Sequence, residues 1–156
     1  MKDRFTDAEW ELVKSVPFQA FMLIAKADGT VDEAELKEFV HRISTGALGY
    51  KDPLHREVAQ FVLQSGASAI LDGIQKALAI NPEKIRDMLA DKLTPSEYQS
   101  YMGSILLDAM AYAKASGSKA SFFSKKKMVS EEEEKAIKVW ALFWKVDLQA
   151  LTTTFG

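Results

Sequence analysis

The chain has 156 residues, 47% hydrophobic and 27% charged, an ordinary globular balance and enough for one domain with a sizeable core. A formal net charge of -2 argues against a general affinity for nucleic acid, which needs a basic surface. There is no cysteine, which excludes disulfides, thiolate metal sites and cysteine nucleophiles and fits a reducing compartment.

The first fourteen residues, MKDRFTDAEWELVK, contain no apolar stretch of the secretory-signal kind. The richest apolar run, Pro17 to Ala25, is too short to span a bilayer and is interrupted by Gln19. The expectation is a cytoplasmic protein, with peripheral membrane attachment left open.

Taken in chain order, the elements read as helices. Thr6 and Glu9 have capping-box spacing, in which each side chain satisfies an orphan backbone N–H at a helix start. Trp10, Val13, Pro17, Phe21 and Ile24 then recur at helical intervals. Pro17 removes a backbone donor and crowds the preceding turn, which predicts a kink or break near Val13 to Val16. Asp32 and Glu35 open a second helix carrying Leu36, Phe39, Val40 and Ile43. Asp52-Pro53 starts a third, marked by Val58, Phe61 and Val62; after a break at Ser65-Gly66, Ile70, Ile74, Ala77 and Leu78 mark the next.

Asn81-Pro82 opens a short helix with Ile85, Met88 and Leu89. Thr94, Pro95 and Glu97 open a long one lined by Tyr98, Tyr101, Ile105, Ala109 and Tyr112. Ser130 and Glu133 begin the last main helix, in which Ile137, Val139, Trp140, Leu142, Phe143, Trp144 and Val146 leave little polar face. That composition predicts the central, most buried element. No alternating strand pattern appears. The fold expected is all-α: a compact single-domain bundle of about seven to nine helices.

A shift of 88 positions lays Thr6–Gly29 over Thr94–Gly117. Thr6 then meets Thr94, Glu9 meets Glu97, Trp10 meets Tyr98, and Ala25-Lys26-Ala27-Asp28-Gly29 meets Ala113-Lys114-Ala115-Ser116-Gly117. After ten extra residues, Ser118 to Lys127, Val31, Asp32, Glu35, Lys37 and Phe39 meet Val129, Ser130, Glu133, Lys135 and Ile137. This reads as an internal pseudo-twofold duplication, with units of about 6–44 and 94–146 joined by helices over about 53–91.

The loop at 27–35 carries Asp28, Asp32 and Glu35, hard oxygen ligands of the kind that calcium and magnesium take. Glu133 or Ser130 would complete such a site from the second unit. An EF-hand register puts Glu35 at the bidentate position but leaves Ile24 and Lys26 at the first ligand positions, where neither can bind calcium. A purely structural reading also accounts for much of the loop. Gly29 ends one helix, Asp32 caps the next and Glu35 completes a capping box, so Asp28 alone lacks a structural role.

The run Ala25-Lys26-Ala27-Asp28-Gly29-Thr30-Val31-Asp32-Glu33-Ala34-Glu35 resembles the signature loop of the TerB-like family, named for bacterial tellurite resistance. The resemblance covers about Thr6 to Val146, and the chain departs from it at Ser116 and in the ten-residue insertion. It implies a bacterial, stress-associated helical module of two related halves, without enzymatic chemistry, whose acidic loops bind a divalent cation. By motif matching, the candidate metal residues are Asp28, Asp32, Glu35 and Glu133, and the cofactor would be calcium, magnesium, manganese or zinc.

The insertion joins Phe122 and Phe123 to Lys125, Lys126 and Lys127, which suits either acidic lipid or a plain solvated loop. His41 and His55 stand in no catalytic motif and read as surface or helix-face residues. With no nucleophile elbow or phosphate loop, the expectation is a non-enzyme with a protein partner. A metal-free adaptor and a membrane-peripheral protein are the alternatives.

Overall fold

A computed structural model describes residues 1–27, 31–120 and 131–155, with side chains described at 1–27, 31–115 and 131–151. Among these residues there are seven α-helices and no strands. They are α1 (Asp7–Ala27), α2 (Glu33–Gly49), α3 (Pro53–Lys76), α4 (Pro82–Lys92), α5 (Pro95–Ala120), α6 (Glu131–Phe143) and α7 (Leu148–Phe155).

The capping spacings form as expected. At α1 the Thr6 N–H donates to Glu9 Oε2 at 2.8 Å, and the Glu9 N–H donates to Thr6 Oγ1 at 3.2 Å. At α5 the Thr94 N–H donates to Glu97 Oε2 at 2.9 Å and the Glu97 N–H to Thr94 Oγ1 at 3.2 Å. Asp52 and Asn81 cap α3 and α4, each followed by proline in the first turn, where a missing N–H costs nothing.

Helix α1 is the core of the bundle. It packs against α3, α5 and α6, and every residue from Ser15 to Met22 is buried. The expected break at Pro17 does not occur, because the chain supplies what proline removes. Proline lacks the N–H that would bond the carbonyl four residues back, at Val13. The buried Tyr101 hydroxyl, from α5, donates to the Val13 carbonyl at 3.1 Å instead. Gln19 has a comparable role: its Nε2 donates to the carbonyls of Ala77 and Ile80, at 3.1 and 3.0 Å, and so ties down the end of α3.

The break expected at Ser65-Gly66 is a kink within α3, where Gly66 takes φ 85°, ψ 172°, a conformation open in practice only to glycine. Beyond it, Gly73 lets α3 approach Phe18 so closely that a Cβ would lie 2.8 Å from the ring. The rings of Phe21, Phe39 and Tyr112 meet at centroid separations of 4.8 to 5.7 Å and join α1, α2 and α5.

Helix α6 is not the most buried element. Ile137, Trp140 and Ala141 face the core, but Val139 and Leu142 are exposed. Apolar residues all round a helix signal burial only when neighbours cover every side, and α6 packs mainly on α1 and α5. Helix α5 runs through Ser116 and Gly117 to Ala120. No helix among the described residues is long and apolar enough to cross a membrane.

Candidate functional site

The acidic loop is described in part. Asp28 and Ser130 lie outside the described residues, as do Phe122, Phe123 and Lys125 to Lys127; the Ser116 side chain is likewise outside them. Asp32 is the N-cap of α2, its Oδ1 accepting from the Ala34 N–H at 2.6 Å. Glu35 completes the capping box, its Oε2 accepting from the Asp32 N–H at 3.2 Å. Both residues therefore have the structural role their spacing predicts.

Burial distinguishes this box from the other two. The capping glutamates of α1 and α5 keep a quarter or more of their side-chain surface in water, 25% for Glu9 and 30% for Glu97. Each also has a cation beside it: Lys92 at 3.2 Å from Glu9, and Arg4 at 2.7 Å from Glu97. The difference lies in burial: Glu35 is 0% exposed, and Glu133, in the first turn of α6, is 2% exposed. Taking a carboxylate out of water costs several kcal/mol, on the order of what a whole capping interaction cannot return. Among the described residues, no group of three or more His, Cys, Asp or Glu side chains is placed to hold a metal ion.

A second polar centre lies between α2, α3 and α5, where the sequence reading placed none. Asp108 is buried on α5, and four side chains converge on its carboxylate. The Tyr50 hydroxyl donates to Oδ2. Arg42 Nε lies 3.5 Å from Oδ1 and His55 Nε2 lies 3.5 Å from Oδ2. The Tyr112 hydroxyl is the fourth; burial first, and then the Asp108 carboxylate, raises it well above an ordinary phenol.

His55 is fully buried, which corrects its reading as a surface or helix-face residue; His41 is exposed. The His55 ring stacks on Tyr50, with centroids 3.6 Å apart and planes 12° from parallel. Burial, then Arg42, pushes the imidazole down to about 3, so it is neutral at physiological pH. Burial pushes Asp108 up to about 6, against the opposing pull of Tyr50 and Arg42, so it is mostly ionised at pH 7.

Ser104 Oγ lies 2.6 Å from Nδ1 of the His55 ring. One turn earlier on α5, Ser100 Oγ donates to Asp52 Oδ2 at 2.7 Å, while Asp52 Oδ1 accepts from the His55 N–H at 2.7 Å. Beside this network is an open cavity of about 490 Å³, whose lining includes Ser100, Ser104 and Asp108 together with Arg42, Lys51 and Lys114.

The signal for this centre was present in the sequence. Ser104 and Asp108 fall three and seven residues after Tyr101, on the stripe that also carries Ile105 and Tyr112. A charged residue on an otherwise apolar helical stripe needs a buried partner, and His55 occupies the matching kind of position beside Val58, Ala59 and Val62.

No family model, curated protein or solved structure matches the chain. A fold of this class hosts many unrelated activities, so the functional reading rests on the sites themselves.

Proposed function

We propose that the chain is a non-enzymatic, TerB-like helical module that holds a divalent cation at the junction of α1 and α2. It would act in a bacterial stress response, tellurite resistance included, through that cation and through contacts with a protein partner. The candidate ligands are Asp28, Asp32, Glu35 and Glu133. The observation that carries the proposal is the complete burial of Glu35 in a capping box that elsewhere in the same chain leaves its glutamate in water. Capping needs one carboxylate oxygen and no burial; a hard cation rewards both carboxylate charge and exclusion of water.

The same proposal takes the two halves as copies of one unit. It is supported by the near-identical capping geometry at Thr6–Glu9 and Thr94–Glu97, and by a buried glutamate in the first turn of both α2 and α6.

Thermal unfolding with calcium, magnesium, manganese or zinc, each compared with a chelator, tests the cation. A rise in melting temperature with one of them is expected, and none with any would remove it. A metal-free adaptor is the second reading. It is favoured by the groove of about 250 Å³ between α6 and the end of α3, lined by Leu23, Leu78, Ile80, Val139 and Phe143. A partner that stays bound when Val139→Asp is introduced would count against it.

A further inference from the structure

The polar groups around Asp52 and Asp108 determine what the adjoining cavity can hold. Ser100 gives its single hydroxyl proton to Asp52 Oδ2, and Ser104 Oγ lies 2.6 Å from His55 Nδ1. Both serines are half-buried on the cavity side of α5, and Ser100 has only lone pairs left for a ligand. Asp52 and Asp108, beside them, are acceptors as well. This wall therefore takes hydrogen-bond donors and rejects a bare anion. The surroundings are the reverse: Arg42, Lys51 and Lys114 offer N–H donors and positive charge.

We infer that this cavity binds a small hydroxylated anion, with its hydroxyl groups on Ser100, Ser104 and the neighbouring carboxylates and its phosphate or carboxylate group toward Lys51, Lys114 and Arg42. The cavity volume of about 490 Å³ suits a molecule of metabolite size. An apolar ligand would strand the acceptors, and inorganic phosphate, with only its own P–OH to give, would leave most of them unmet. A plain polyol would bring no charge to match the cations that line the cavity.

The site is preorganised. Stacking against Tyr50 holds the His55 ring, and Tyr50 is itself tied to Asp108. The Tyr50 ring also fits only because position 46 is glycine, since a Cβ there would overlap it. The Tyr50 carbonyl accepts from Arg56 Nη1 at 2.9 Å, which fixes the loop between α2 and α3. None of these residues belongs to the proposed cation site, so the two readings can fail separately.

Glycerol 3-phosphate is the first probe, with glycerate, glycerol and inorganic phosphate alongside, each followed by amide chemical-shift titration of the full chain. Glycerol 3-phosphate or glycerate should shift amides of residues 50–55 and 100–114, and comparison of the two shows whether phosphate or carboxylate is preferred. Glycerol and phosphate alone should each bind at least about tenfold more weakly, the cost of an unmade charged contact or of the missing donors. Lys114→Ala, at an exposed position, should weaken the preferred probe about tenfold. Ser104→Ala should weaken it about threefold to tenfold while leaving the weak binding of inorganic phosphate unchanged. Glu35→Gln should leave all of these titrations as they are. The proposal is overturned if neither hydroxylated anion moves these amides, if inorganic phosphate binds as well as they do, or if Lys114→Ala leaves the binding intact.

Discussion

Helices α1 and α5 begin with the same capping box and then carry opposite chemistry. In the 88-residue register, Ser104, Asp108 and Tyr112 of α5 stand where α1 has Val16, Ala20 and Ile24. The α1 stripe is apolar and lies at the centre of the bundle, whereas the α5 stripe holds the Asp108 network and borders an open cavity. The helices that follow them show a second contrast. The glutamates at the starts of α1 and α5 keep 25% and 30% of their side-chain surface in water, while those at the starts of α2 and α6 are buried. The same capping-box spacing thus occurs in two settings: one where water reaches the glutamate, at Glu9 and Glu97, and one where it does not, at Glu35.

The sharpest way to break that contrast is chelation. A cation held at one hundred times its Kd adds about 2.7 kcal/mol, which for a chain of this size raises Tm by roughly 5–10 °C. The rise should persist in Glu9→Gln and vanish in Glu35→Gln. An equal rise in both would place the cation elsewhere.

The next effect concerns Pro17. Tyr101→Phe leaves the Val13 carbonyl buried without its donor and should cost about 1–3 kcal/mol in urea unfolding. In a Pro17→Ala background the restored N–H can reach Val13, so the same substitution should cost measurably less. Equal costs in the two backgrounds would mean that Tyr101 is not compensating for the proline.

The pH dependence sharpens the view of the α5 stripe. The folded state raises Asp108 to about 6, so it binds that proton more tightly than the unfolded chain does. The stability this contributes is complete below about pH 4 and is lost as pH rises through 6. His55 is lowered to about 3, so its contribution is present above about pH 6.5 and is lost as pH falls toward 3. The two slopes oppose each other between about pH 4 and 6. Arg42, Glu38, Tyr50 and Tyr112 face the same carboxylate and remain in place. Asp108→Asn should therefore lose stability more steeply than the wild type on acidification from pH 6 to 4, by up to about 1.4 kcal/mol per pH unit. Parallel curves from urea unfolding would contradict the coupling.

The smallest effect expected is that of Asp32→Ala, about 1 kcal/mol in the presence of chelator, the ordinary value of an N-cap.

Much of the fold was legible because its signals are local. The caps at Thr6, Asp32, Asp52, Asn81 and Thr94, and the kink at Gly66, depend on a few neighbouring residues. What was not legible depends on partners far along the chain. Pro17 predicts a break until Tyr101 is seen donating to Val13, 88 residues before it. The apolar circumference of α6 suggested full burial, and only the placement of its neighbours shows Val139 and Leu142 to be exposed. The acidic loop was visible as a motif, but the burial of Glu35 was not. The Asp108 centre was missed because His55 and Asp108 are 53 positions apart and match no compact motif.

The most direct test is calorimetric titration of the wild type, Glu35→Gln and Glu97→Gln with the divalent cation that raises Tm most. The buried-carboxylate reading predicts binding heat for the wild type and Glu97→Gln, and none for Glu35→Gln with its fold intact by circular dichroism. Undiminished heat in Glu35→Gln would contradict it.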